Sequence, residues 1–166
     1  MPRLLLALVG MLLAGATAAQ AGPKVAIFPF ELIDNSLEGQ YFGVRADEAH
    51  RLQLVTDELR KLAARDAGYE VLDLSAIASK LEKSAPLYNC NGCEIELARQ
   101  AGAEVAITVA VRKFSSMLLS LHIYATDVSN GNLTKMYRVD VRGNTDESWL
   151  RGVRRLVAEG LVGKDK

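Results

Sequence analysis

Val105-Ala-Ile-Thr-Val-Ala-Val111, followed closely by Met117-Leu-Leu-Ser-Leu-His-Ile-Tyr-Ala-Thr126, decides the fold. The first run is almost continuously apolar and β-branched, the composition of a strand covered on both faces. The second alternates. Met117, Leu119, Leu121, Ile123 and Ala125 fall on one side, and Ser120, His122, Tyr124 and Thr126 on the other. That is the two-residue period of a strand with one face in a core. Asp127-Val-Ser-Asn-Gly131 is rich in residues that tolerate positive φ and reads as a turn. Leu133 to Val141 alternates again, with Leu133, Tyr137, Val139 and Val141 on one side. Connections this short predict an antiparallel meander of three strands.

Outward from this meander, strands and helices interleave. Lys24-Val-Ala-Ile-Phe-Pro-Phe30 is strand-like, and Pro29, which cannot donate to a ladder, marks its end or an edge position. Residues 31–42, with Asp34-Asn35-Ser36 and Gly39, read as a loop. From Ala46 to Ala67 the period turns helical, with Leu52, Val55, Leu59 and Leu62 forming an apolar stripe and Gly68 closing the helix. Tyr69 to Asp73 is a short strand. Ser75 is placed to cap a second helix reaching about Lys83, and Pro86 breaks it. Glu94 to Ala101 is a third helix, closed by Gly102. After the meander, Asn144 and Glu147 have capping-box spacing, and Trp149, Val153, Leu156 and Val157 face the core from a final helix. The order is β-α-β-α-α-β-β-β-α. It predicts an α/β (α+β) domain, a mixed five-stranded sheet with helices packed on it and right-handed parallel crossovers in the first part.

The amino terminus predicts where the chain works. Arg3 precedes an apolar run from Leu4 to Ala14, and Ala19-Gln20-Ala21 offers a small-x-small cleavage pattern. Residues 1–21 read as a secretory signal peptide, with cleavage near Ala21 and a single domain over residues 22–166. The apolar run is short for a membrane span, and no second one follows. No cysteine sits near the cleavage region, which argues against a lipid anchor. The expectation is an exported, periplasmic protein with no integral membrane segment once mature. Lys+Arg and Asp+Glu number 20 each, and loss of Arg3 with the leader shifts the formal balance from 0 to −1. Such a balance gives no bulk reason to expect nucleic acid or another polyanion as partner. Arg151, Arg154 and Arg155 share a helix with apolar residues and read as its solvated face.

The chemistry-bearing residues are few. Cys90-Asn-Gly-Cys93 is the only cysteine pair. In an oxidising compartment it reads first as a structural disulfide and second as a thiol–disulfide redox site or sensor at a helix start, with metal binding a third reading. A thioredoxin-like site follows its strand almost directly, whereas here a helix and Pro86 intervene, and no proline lies beyond Pro86. Glu94 stands where a covalent haem motif needs histidine. His50 and His122 are far apart in sequence, so no dense metal cluster is visible. Asp47-Glu-Ala-His50 spells a helicase box without any phosphate-binding loop, and is read as chance. No nucleophile elbow, zinc-protease motif or dinucleotide fingerprint occurs, and Ser115-Ser116 lies in a turn. No catalytic, cofactor-binding or metal-ligating residue is expected. His122, Tyr124, Thr126, Arg138, Asp140 and Arg142 form a polar sheet face, either solvated or a docking face for another envelope protein. An exposed sheet edge can also accept a partner strand. The loop of residues 31–45 is a weaker place for a small ligand or metal.

Spread along the chain are Val25-Ala-Ile-Phe-Pro-Phe30, Tyr69-Glu-Val-Leu-Asp73, Cys93 opening the helix that runs through Glu96-Leu-Ala-Arg-Gln-Ala-Gly-Ala103, the Asp127–Gly131 turn and Trp149. On these residues the mature chain resembles the TolB amino-terminal-domain family. It also resembles a family of small exported bacterial proteins consisting of this domain alone. The motifs are structural. The resemblance implies a compact α/β module used for protein contacts in the envelope, without an active site. The TolB propeller has no counterpart in the sequence, so the role of TolB itself is not implied.

Overall fold

The computed structural model describes residues 22–163. The signal-peptide reading of residues 1–21 lies outside them. Six strands make one mixed sheet: β1 (Lys24–Ile27), β2 (Glu31–Asp34), β3 (Glu70–Val71), β4 (Val105–Ser115), β5 (Leu118–Asp127) and β6 (Leu133–Arg142). Five α-helices accompany it: α1 (Leu37–Phe42), α2 (Ala46–Asp66), α3 (Ala78–Ser84), α4 (Cys93–Gln100) and α5 (Asp146–Gly160). The spatial order is β3-β1-β4-β5-β6, with β2 pairing β4 as well. β1 runs parallel to β3 and β4, and β4-β5-β6 is the antiparallel meander, as the connection lengths predict.

The sixth strand lies where the sequence reads as a loop. β2 does not open a new position; it continues the line of β1 along β4. Ile27 stands opposite Ile107, and Glu31 opposite Ala110. The β1–β2 line therefore spends one residue more than β4 between these pairs, around Pro29, which has no N–H to lose from the ladder. One extra residue inverts the side-chain alternation. Before it, Val25 and Ile27 belong to the main core; after it, Phe30 and Leu32 do. The five-position sheet of the sequence reading stands, with one position filled by two strand segments.

The two sheet faces differ. One is covered by α2 and α5, and here lies the main core, with Ile27, Leu59, Ile107, Leu121, Trp149 and Leu156 all fully buried. Side chains of this kind contribute about 1.5–3 kcal/mol each on burial. The other face is covered only over β1 and the adjoining part of β4. There Phe28, Ala26 and Ala106 pack beneath Leu74, Ile77, Leu87 and Leu97 from the segments before and within α3 and α4. The rest of that face, over β5 and β6, is left open.

Three local readings are corrected. Thr145, not Asn144, caps α5, accepting from the Ser148 N–H while the Ser148 hydroxyl accepts from the Thr145 N–H. Ser75 does not cap α3; it opens a short 3-10 turn (Ser75–Ile77) ahead of that helix, and its N–H donates to Asp73 Oδ1 at 2.9 Å. Leu133 departs from the Tyr137–Val139–Val141 row because β6 shifts register there, so that Leu133 faces Thr126.

Candidate functional site

Lys113 closes the inward row of β4. Ile107, Val109 and Val111 precede it on the main-core face, and its side chain is completely buried. A buried ammonium requires counter-charges. Three carboxylates supply them: Glu48 from α2 at 2.6 Å, Asp34 from β2 at 3.2 Å and Glu38 from α1 at 3.3 Å. Burial pulls the Lys113 pKa down, but the carboxylates of Glu48, Asp34 and Glu38 beside its ammonium outweigh it and hold the group above its ordinary value. Burial likewise pushes Asp34 up, and two hydrogen bonds from Ser36 together with Lys113 more than reverse this. Glu48 is fully buried and also accepts from Asn144 Nδ2 at 2.6 Å, while Asn144 Oδ1 accepts from Trp149 Nε1 at 3.0 Å. The ion cluster thereby ties β2, β4, α1, α2 and the start of α5 together.

This cluster seats α1. Asp34 Oδ1 accepts from both the N–H and hydroxyl of Ser36, and Ser36 Oγ in turn accepts from the Gly39 N–H at 3.0 Å. Gly39 rests on the Asp34 carboxylate so closely that a Cβ there would lie 2.3 Å from it. None of the helix's residues is buried. Its apolar side chains point outward, with Tyr41 and Phe42 80% and 81% exposed and Leu37 and Val44 also largely exposed. The two rings stand 6.5 Å apart, tilted. Phe114, Met117 and Leu118, at the β4–β5 turn and the same end of the sheet, are exposed as well. Large apolar groups concentrated in this way mark contact surfaces.

On the open sheet face, His122 lies between Ser120 and Tyr124. Its Nε2 is 2.8 Å from the Ser120 hydroxyl and its Nδ1 3.3 Å from the Tyr124 hydroxyl. Burial first, then the positive charges of Arg112 and Arg138, hold the His122 pKa below its ordinary value, with Asp140 opposing them. Ser120 is 3% exposed, too deep for a nucleophile that must reach a substrate.

Cys90 and Cys93 are joined in a disulfide across the Asn91-Gly92 turn, whose positive φ values of 55° and 102° suit Asn and Gly. Both cysteines are half-buried against the smaller core. The Glu94 carboxylate lies 3.5 Å from Cys90 Sγ. The turn borders an open cleft of about 300 Å³ whose walls include Tyr88, Arg112, Tyr124 and Leu133. Glu31, also in the wall, is engaged in fixing the next segment: its carboxylate accepts from the N–H groups of Leu87 and Tyr88.

Of the residues singled out in the sequence, the structure brings together Cys90 with Cys93, and His122 with Tyr124 and, across the strand pair, Arg138. His50 is exposed on α2, away from His122 on β5. Arg151, Arg154 and Arg155 pair with Glu147, Glu58 and Glu159 along the exposed side of α5. Glu48, inside the helicase-like letters, turns out to be a core anion. The Lys113 cluster was missed. The available signal was the odd-numbered row Ile107, Val109 and Val111, which continues into Lys113.

Residues 23–161 match the DUF3280 family, whose description reads "Protein of unknown function (DUF2380)", and the chain belongs to that family. No curated protein matches it. Among solved structures, the chain is similar to the LpoB C-terminal domain from Salmonella enterica, at 17% identity over 76% of this chain and 87% of that one, with a TM-score of 0.53. It is similar to a PelC dodecamer subunit from Paraburkholderia phytofirmans, at 14% identity over 89% and 93%, with a TM-score of 0.51. It is also similar to TolB from Acinetobacter baumannii, at 15% identity over 91% of this chain but 31% of that one, with a TM-score of 0.45. The mixed α+β fold read from the sequence is met, and at these identities the likeness to the LpoB domain and PelC is one of fold. Among the described residues no helix is long and apolar enough to cross a membrane.

Proposed function

We propose that this member of the DUF3280 family is a non-catalytic interaction module of the bacterial periplasm, docking on another envelope protein through the apolar end of its sheet. One observation carries the reading. Tyr41 and Phe42 are held out to solvent on a helix that the buried Lys113 cluster fixes from below. A surface built to be exposed and rigid loses little entropy on docking. Aromatic side chains are the residues that dominate such contacts. The leader sequence supports export. The disulfide supports an oxidising compartment, and its reading here is a staple between the segment after Pro86 and α4. Glu94 beside Cys90 disfavours a thiolate, which weakens the redox alternative.

The test is crosslinking in intact cells, with a photoreactive residue in place of Phe42 or, as a control, of exposed Arg65 on α2. A single discrete adduct with an envelope protein is expected at Phe42 and not at Arg65, and it should vanish when Tyr41→Ala is added. Absence of any adduct at Phe42 across growth conditions, or an equal adduct at Arg65, would overturn the proposal.

A further inference from the structure

The arginines among the described residues fall into two groups. Arg45, Arg51, Arg65, Arg99, Arg151, Arg154 and Arg155 each pair with a carboxylate, and Arg60 donates to the Ile27 carbonyl. Among the described arginines, only Arg112, Arg138 and Arg142 have neither an ion pair nor a side-chain hydrogen bond. All three are exposed, and all three lie on the open sheet face. The register shows this directly: Arg112 stands opposite Ser120, Arg138 opposite His122 and Arg142 opposite Leu118. The guanidinium groups left without a partner are thus gathered on one face.

That place adjoins an open edge. β6 ends the strand order, and among the described residues no strand pairs with its outer side. It is ten residues long. An edge of this length presents backbone N–H and C=O groups that another extended backbone can satisfy and a lipid or nucleic acid cannot. On β6 the open face carries Met136, Arg138, Asp140 and Arg142 in alternate positions, with Leu133 beyond the register shift, so a strand laid beside its second half meets positive, negative, positive at a two-residue period. Directly opposed opposite charges stabilise strand pairs, and like charges destabilise them.

We infer that β6 is a strand-acceptor edge for an extended, acidic segment of a partner protein, one carrying carboxylates four residues apart to face Arg138 and Arg142, with a basic or polar residue between them opposite Asp140. Arg112, two strands inward, adds to the positive field. The same charges reject uncharged apolar strands, so edge protection and partner choice have one cause. This surface adjoins the apolar end at Arg142, which stands opposite Leu118, but it rests on Arg138 and Arg142 where the other rests on Tyr41 and Phe42, so each can fail without the other.

The experiment uses the mature protein, isotope-labelled for amide NMR, with a synthetic peptide Thr-Glu-Val-Ser-Val-Glu-Thr as probe. Expected is a set of shifts concentrated on the amides of residues 133–142, with affinity falling about tenfold on Arg138→Gln plus Arg142→Gln and falling similarly when both peptide glutamates become glutamines. Tyr41→Ala should leave this binding unchanged. Shifts that map elsewhere, an unchanged affinity for the glutamine peptide, or no binding would each overturn the inference. So would phosphatidylglycerol vesicles or an oligonucleotide shifting β6 when the peptide does not, or sedimentation showing that β6 is already covered by a second copy of the chain.

Discussion

Asp34 and Lys113 stand opposite each other across two parallel strands, and their charged ends meet 3.2 Å apart on the face of the sheet that is otherwise the apolar core. Glu48 approaches the same ammonium from α2 and Glu38 from α1. Breaking such a group from one side leaves buried charge of a single sign, which is far costlier than never having had it.

Lys113→Met should therefore cost about 3–5 kcal/mol, read as a fall in the urea midpoint at neutral pH. Adding Glu48→Leu to Lys113→Met should recover part of the loss, because an apolar pair of similar volume can replace a buried ion pair. An unchanged midpoint in the single variant would show that the ammonium contributes nothing to the fold.

The same cluster sets the acid limit of stability. Asp34 is held below its ordinary 3.8 in the folded chain, chiefly by Ser36 working against burial. Around that value the unfolded chain binds more protons, so the contribution is complete above it and is lost as pH falls through the lower folded value. Lys113, held above 10.5, contributes fully below that pH and loses its share as pH rises through the higher folded value. Urea midpoints measured against pH should fall on the acid side, and Asp34→Asn should flatten that limb while lowering the neutral plateau.

His122 is held below 6.5, by burial first and by Arg112 and Arg138 next. Its ring resonances should titrate below that value and move upward in Arg138→Gln. Since the unfolded chain takes up this proton more readily, stability should decline as pH drops from 6.5 toward the folded value. A titration unaffected by Arg138→Gln would place that guanidinium away from the ring.

The Cys90–Cys93 bond closes a very short loop. Chain entropy then assigns it about 2 kcal/mol, at the low end for disulfides. Cys93→Ser should lower the melting temperature modestly without abolishing folding. A reduction potential below about −300 mV would mark it as structural, and a value among exchange catalysts would restore the redox reading.

Gly39→Ala tests the seat of α1. The added methyl has no room above the Asp34 carboxylate, so the helix must shift, at a cost of about 1–3 kcal/mol. Crosslinking through residue 42 should weaken while peptide binding at β6 persists. Equal stability to the wild type would mean that α1 adjusts freely.

Much of this architecture was legible because alternation is a local signal. Val105–Val111, Met117–Thr126 and the stripe Leu52, Val55, Leu59 and Leu62 declare their faces without reference to anything distant. What stayed hidden depends on long-range registration. β2 is four residues of mixed polarity, Glu31-Leu-Ile-Asp34, with both charged ends explained only by partners elsewhere: Leu87 and Tyr88 for Glu31, and Lys113 for Asp34. Arg138 and Arg142 were visible as letters on a polar face, and Arg112 was not among them. That they lacked partners could be known only after every other described arginine had found a carboxylate or, for Arg60, a carbonyl.

The extra residue near Pro29 carries a consequence for how this chain can change. Because it fixes whether Asp34 lies above or below the sheet, the stretch from Ile27 to Asp34 is a ruler as well as a connection. Its count matters as much as its letters. Deleting one residue would turn Asp34 toward the open face, strip Lys113 of its register partner and take the carboxylate from under Ser36 and Gly39 in a single step. A shift of parity at one bend would thus reach the binding surface without touching any residue that forms it.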